Sequence, residues 1–198
     1  NVLYFQHSIK GAYITSGYPK FLNIRLSALL LRILFDYIKL YSIYIQNMAQ
    51  SLVKVYIHLV FHIKTNSVMI QEKDREELYA YMMGIIRHCN SIPIRIGGTN
   101  DHVHILCTLP RDILIADFVK KIKHSSSSFL KEKENFYFPF YWQAGYGTFS
   151  VSSSIVDKTI AYIDNQMMHH HTMTFREEYT MFLKEYDIDY NEDYVFRD

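Results

Sequence analysis

Hydrophobic and polar positions fall into a regular order from Met48 onward. Residues 53–64 (VKVYIHLVFHIK) are β-branched and aromatic, and they predict a strand. Between Lys73 and Asn90, Leu78, Tyr81, Met82, Ile85 and Ile86 recur at helical spacing behind a charged first turn. A short strand is predicted from Ile92 to Gly97, a turn at GGTND (97–101), and a second strand in hairpin relation over His102–Leu109. Asp112 reads as the N-cap of a helix reaching about Glu134, with Ile115, Phe118, Val119, Ile122 and Phe129 along one side. A last short strand follows at Thr148–Ser152, then helices at Ser154–His170 and Thr174–Tyr186. The order strand, helix, strand, strand, helix, strand spells an α+β, ferredoxin-like split βαβ fold. Its antiparallel sheet carries two helices on one face and extra helices at the C-terminus.

The first 47 residues are patterned differently. NVLYFQ at 1–6 looks like a worn protease-tag sequence, and residues 1–47 read as a tag or upstream-translated leader outside the domain that follows. The alternative is a true helix from about Phe21 to Tyr44 packing on the domain or a partner. Arg25, Arg32, Asp36 and Lys39 keep this stretch short of the roughly 18–20 uncharged residues of a membrane span. A basic start followed by a small-residue cleavage site is also missing, which argues against a signal peptide. Residues 48–198 then form one domain whose end, about 174–198, is helical and acidic.

Charge narrows the picture only locally. The chain carries +1 overall, whereas residues 176–198 hold three basic and eight acidic side chains. Bulk charge therefore does not announce a nucleic-acid binder, and any grip on DNA has to come from a patch. The two cysteines, Cys89 and Cys107, have no metal-like spacing and fit a reduced, cytoplasmic protein.

Two constellations carry chemistry. In His102-Val103-His104 the two imidazoles share one face of a strand, so together they can hold a divalent cation; alone this is a weak signal. Tyr162 and Gln166 lie one helical turn apart, which pairs a phenol with an amide oxygen able to act as a third ligand. Among 17 tyrosines, a core role for any single one is the bland alternative. Lys120, Lys121 and Lys123, followed by Ser125–Ser128, could track a phosphate backbone or simply form a solvated helix face. The aromatic run from Tyr137 to Trp142 could stack unpaired bases, but core packing is its larger share. His169, His170 and His171 fan out on a helix rather than converge, although His169 or His170 can approach Tyr162 from two turns beyond it.

Taken together, YIHLVFHIK (56–64), GGTNDHVHILCTLP (97–110), FVKKIKHSSSSFL (118–130), WQAGYGTFSVSSS (142–154) and YIDNQMMHHHTMTFREEY (162–179) resemble the single-tyrosine HUH transposases of bacterial insertion sequences. The likeness includes the branch of REP-associated tyrosine transposases and covers about Val53 to Asp198. It implies His102 and His104 as metal ligands, Tyr162 as nucleophile and Gln166 as third ligand, with Mg²⁺ or Mn²⁺ as the ion. It also implies cleavage and rejoining of single-stranded DNA at hairpin ends through a 5′-phosphotyrosine intermediate. The resemblance further implies a homodimer whose sites combine one subunit's histidines with the other's Tyr162. Two other readings stay open. One is a metal-dependent hydrolase using the same histidines, with Asp101 as the only adjacent acid; the other is a non-catalytic module binding hairpin DNA or RNA.

Overall fold

A computed structural model describes residues 20–46, 52–170 and 172–196. The chain divides into two compact units, one ending at Leu52 and the other spanning Val53–Asp198. In the first, α1 (Lys20–Gln46) is a continuous helix, and its described side chains, residues 28–41, are all exposed. Residues 1–19 of the leader reading, and Met48, lie outside the described residues.

The second unit contains β1 (Tyr56–His62), α2 (Glu72–His88), β2 (Pro93–Gly98), β3 (His102–Thr108), α3 (Ile115–Lys133), β4 (Gly147–Val151), α4 (Val156–Asp164), α5 (Gln166–His169), α6 (Phe175–Glu185) and α7 (Glu192–Val195). The four strands form one antiparallel sheet in the order β2-β3-β1-β4. This is the split βαβ arrangement: each helical crossover skips one strand position, and the two halves interleave.

Alternation along the central strands sorts side chains to two faces. Ile57, Leu59 and Phe61 of β1, with Val103, Ile105 and Cys107 of β3, pack against Leu78, Met82 and Ile86 of α2 and Phe118, Ile122 and Leu130 of α3. Tyr137, Phe140 and Trp142 join this core, so most of the aromatic run is interior while Phe138 and Tyr141 are exposed. Buried Asp74 ties the ends of that layer together, accepting from Tyr137 at 2.7 Å and pairing with Lys133 at 2.7 Å. Ser126, inside the serine tract, is fully buried and accepts the Trp142 indole N–H at 3.0 Å.

The other face carries His58, Val60 and His62 of β1, His102, His104 and Leu106 of β3, and Phe149 of β4; Val60 stands opposite His104, and His62 opposite His102. Phe149, with Tyr179, Phe182 and Leu183 of α6, covers one part of it, and Ile163 of α4 packs with Leu106 and Val151 on another. Polar histidines are thus placed beneath a second helical layer.

Two boundaries differ from the sequence reading. Asp112 is not the N-cap of α3: the cap is Leu114, without a side-chain bond, and the Asp112 carboxylate instead accepts from the Asn90 amide at 2.8 Å. Asp117 supplies the negative charge in the first turn. The single helix expected over 154–170 is broken at Asn165 into α4 and α5.

Candidate metal and nucleophile site

Four side chains converge on the histidine face. His102 and His104 are both fully buried, with their Nε2 atoms turned toward α5 and α6. Gln166 Oε1 lies 3.2 Å from His102 Nε2, and Glu178 Oε2 lies 3.3 Å from His104 Nε2 and 3.8 Å from His102 Nε2. His102, His104 and Glu178 each present a ligand atom, all within 4.8 Å of one another. His104 Nε2 is buried and finds no hydrogen bond, despite the nearby carboxylate. Burial presses the His104 pKa down to about 4 against the pull of Glu178, so the ring is neutral at pH 7. An unprotonated imidazole nitrogen facing a carboxylate oxygen and an amide oxygen is a set of lone pairs that a divalent cation satisfies. The residues therefore fit a metal centre of nitrogen and oxygen ligands.

Tyr162 stands beside this set. Its half-buried ring lies 5.9 Å from that of His104, edge-on, and its hydroxyl donates to Glu178 Oε1. Gln166 Nε2 donates to the same oxygen at 2.8 Å, which orients the amide with its oxygen toward His102. Burial, followed by the bond to Glu178, raises the Tyr162 pKa well above that of a free phenol. Burial also opposes the Glu178 charge, but the nearby His104 ring and the hydrogen bonds from Tyr162 and Gln166 outweigh it and hold the carboxylate well below its usual range. His170 Nε2 lies 3.1 Å from the second Glu178 oxygen. His171 lies outside the described residues.

The backbone explains these placements. Gly98 has φ of +147° and stands where an added Cβ would lie 2.2 Å from the His102 carbonyl, so only glycine admits the turn into β3. At Gly97 a Cβ would lie 2.7 Å from both the Ile163 carbonyl oxygen and its side chain, so the missing side chain lets α4 sit directly on β2. Arg95 pairs with Asp164 at 3.1 Å along the same contact. Gly97→Ala is expected to push α4 outward, costing about 1–3 kcal/mol of stability in urea unfolding and displacing Tyr162 from the histidines.

Tyr162, His102, His104 and Gln166 are brought together within one chain, with Gln166 opening α5 rather than continuing the tyrosine helix. Of the three lysines, Lys120 and Lys121 are exposed. Lys123 turns to the loop before β4 and donates to the carbonyls of Gln143 at 2.8 Å, Ala144 at 3.4 Å and Gly145, and burial lowers its pKa to about 8. Lys123 thus clamps a loop.

Glu178 is the residue the sequence reading missed; Asp101 is not the only acid near the pair. A signal was present. On α6 the buried positions are Glu178, Tyr179, Phe182 and Leu183, which places a carboxylate within an apolar stripe. The capping box of Thr174 and Glu177 fixes the register of that helix.

The sequence profile of the transposases described as IS200-like matches residues 51–166, which is more than half of the chain and includes the histidine pair, Tyr162 and Gln166. The chain belongs to the IS200-like transposase family. Solved structures to which this transposase is similar include two of known description. One is a Deinococcus radiodurans R1 protein assigned as a transposase, 22% identical, with a TM-score of 0.46 over 61% of this chain and 96% of that one. The other is a REP-associated tyrosine transposase bound to a REP hairpin, 12% identical, with a TM-score of 0.47 over 63% and 73% of the two chains. No curated protein matches the transposase. Glu178 lies beyond the matched segment, on a helix that the family profile does not span. Among the described residues, no helix is long and apolar enough to cross a membrane.

Proposed function

We infer that this transposase cleaves and rejoins single-stranded DNA at hairpin ends, with Tyr162 as nucleophile and a divalent cation, Mg²⁺ or Mn²⁺, held by His102, His104 and Gln166 together with Glu178. The observation that carries the reading is the convergence of a phenol and four lone-pair donors under one helical cover. The hairpin-bound relative supports the substrate class by analogy. The cation, when bound, neutralises and orients the scissile phosphate.

The chain's own residues do the rest. The Tyr162 oxygen attacks phosphorus as its hydroxyl gives up its proton, a P–O bond to tyrosine forms, the bond to the 3′-oxygen breaks, and that oxygen takes up one proton and leaves as a hydroxyl. The phosphotyrosine conserves the bond energy, so a second strand's 3′-hydroxyl can reverse the step and seal a new junction without ATP. Gln166 and Glu178 keep the phenol and the metal-facing atoms in one frame. An open cavity of about 600 Å³, lined by Arg75, Asn100, Asp101, Met167, His170 and Phe175, adjoins the site and gives the strand a way in. Exposed Lys120 and Lys121 offer phosphate contacts on α3. Two copies acting as a homodimer would hold the two strands that joining requires; since one chain supplies both Tyr162 and the histidines, each copy has a complete site.

The test uses a labelled single-stranded hairpin substrate with Mg²⁺ or Mn²⁺ on a denaturing gel. A slow-migrating adduct lost with chelator and with His102→Ala is expected. Glu178 supplies the carboxylate that a hydrolase would need, so the same gel addresses that reading: cleavage without adduct, retained in Tyr162→Phe, would mean a metal-activated water. Binding with no cleavage under either ion would leave a hairpin-binding module.

A further inference from the structure

Both metal-facing imidazoles are gripped from behind. His104 Nδ1 lies 3.0 Å from Nε2 of His58, a residue on β1 that is only 3% exposed. His102 Nδ1 lies 2.6 Å from Asp101 Oδ1 and 2.9 Å from Thr99 Oγ1, and the threonine hydroxyl itself donates to Asp101 at 2.6 Å. We propose that His58 and Asp101 are positioning residues that hold His104 and His102 in the Nδ1–H tautomer, each with its Nε2 lone pair aimed at the divalent cation. This rests on the metal site inferred above.

A neutral imidazole carries one N–H and one lone pair, and only the lone pair binds metal. Both Nε2 atoms face Gln166 and Glu178, so ligation requires the proton on Nδ1 in each ring. The Asp101 carboxylate oxygen takes the Thr99 hydroxyl hydrogen at 2.6 Å and faces His102 Nδ1 at the same distance. It can only accept, and therefore demands the proton on His102 Nδ1. With the Thr99 hydrogen given to Asp101, the threonine oxygen accepts as well, and the ring is locked from two sides.

His58 is less constrained by its chemistry and more by its setting. Aromatic side chains enclose it: its ring sits edge-on to Phe182 at 5.3 Å and to Tyr162 at 6.3 Å. Its Nε2 accepts from His104 when its own proton is on Nδ1. The pairing register places His58 diagonally across from His104, two residues from its direct partner Val60, so the sheet itself sets this contact. Such supporting partners contribute about 10–100-fold to metal affinity.

The test measures Mn²⁺ binding to the full chain by calorimetry, with ring ¹⁵N spectra of the metal-free protein at pH 7.5. Metal-free protein is expected to show His102 and His104 as Nδ1–H tautomers. His58→Phe and Asp101→Ala are each expected to weaken Mn²⁺ binding by about 10–100-fold. His58→Gln, whose amide oxygen stands near the original Nε2, is expected to return affinity to within a few-fold of the parent. Nε2–H tautomers in the parent, or parent-like affinity in both His58→Phe and Asp101→Ala, would overturn the proposal. So would His58→Gln binding as weakly as His58→Phe, which marks a packing role only. If His58→Phe does not fold, Asp101→Ala and the parent spectra decide. Mn²⁺ binding that His102→Ala does not remove would instead sink the metal site and the proposal with it.

Discussion

Replacing Tyr162 by phenylalanine is expected to abolish covalent protein–DNA adduct formation, a loss of about 10³-fold or more, while hairpin binding and folding persist. The substitution removes one hydroxyl and keeps the ring that packs near His58, His104, His169 and Phe182. Glu178 loses one donor but keeps Gln166 at 2.8 Å and His170 at 3.1 Å, so the buried carboxylate is not stranded. The cost to stability is about 1 kcal/mol, the net worth of one hydrogen bond. A gel-shift titration alongside the denaturing gel separates the two effects. Parent-level adduct in the variant would assign the nucleophile to another residue.

The second large effect is acid destabilisation of the chelated protein. His104 is fully buried and titrates near pH 4, and burial depresses His58 in the same direction. In the unfolded chain both rings take up protons near pH 6.5. Between about pH 6.5 and 4 the unfolded state therefore binds more protons, and stability falls as the pH drops through that window. His104 alone accounts for roughly 3 kcal/mol, from a displacement of about 2.5 pH units. Below pH 4 the carboxylates follow: Asp101 and Glu178 are depressed in the folded state, so their contribution, intact above about pH 4, is lost as the pH falls through their folded values. Urea midpoints measured in EDTA from pH 8 to 4 should decline most steeply below 6.5, and His104→Asn should flatten the decline. A midpoint unchanged over this range would show that these rings are not held neutral.

Much of the fold was readable because period-two and period-3.6 patterns report burial directly. The alternation in HVHILCT puts His102 and His104 on one face whatever else the chain does, and the helical spacing of Leu78, Met82 and Ile86 needs only a sheet to rest on. The break at Asn165 was invisible, since local composition continues the helix without glycine or proline; α4 ends one residue beyond Ile163, which packs on Gly97. Asp112 has the chemistry of a cap but is taken by Asn90, a partner 22 residues away that no local pattern reveals. For Glu178 the apolar stripe around it was readable, but its partners were not. Its partners Tyr162, Gln166 and His104 are brought to it only by folding, and an acidic tail in sequence reads as solvated surface.

A covalent bond between Tyr162 and a DNA 5′-phosphate is the feature on which the proposed function stands. Mass spectrometry of the trapped complex, after nuclease and trypsin digestion, tests it most directly. Cleavage after Lys158 and Arg176 releases a peptide of residues 159–176 that contains Tyr162 and no other tyrosine. This peptide is expected to carry a nucleotide through a phosphodiester on Tyr162, in Mg²⁺ or Mn²⁺ and not in chelator. An unmodified 159–176 peptide, with the nucleotide on another tyrosine or on none while the DNA is nevertheless cut, would contradict it.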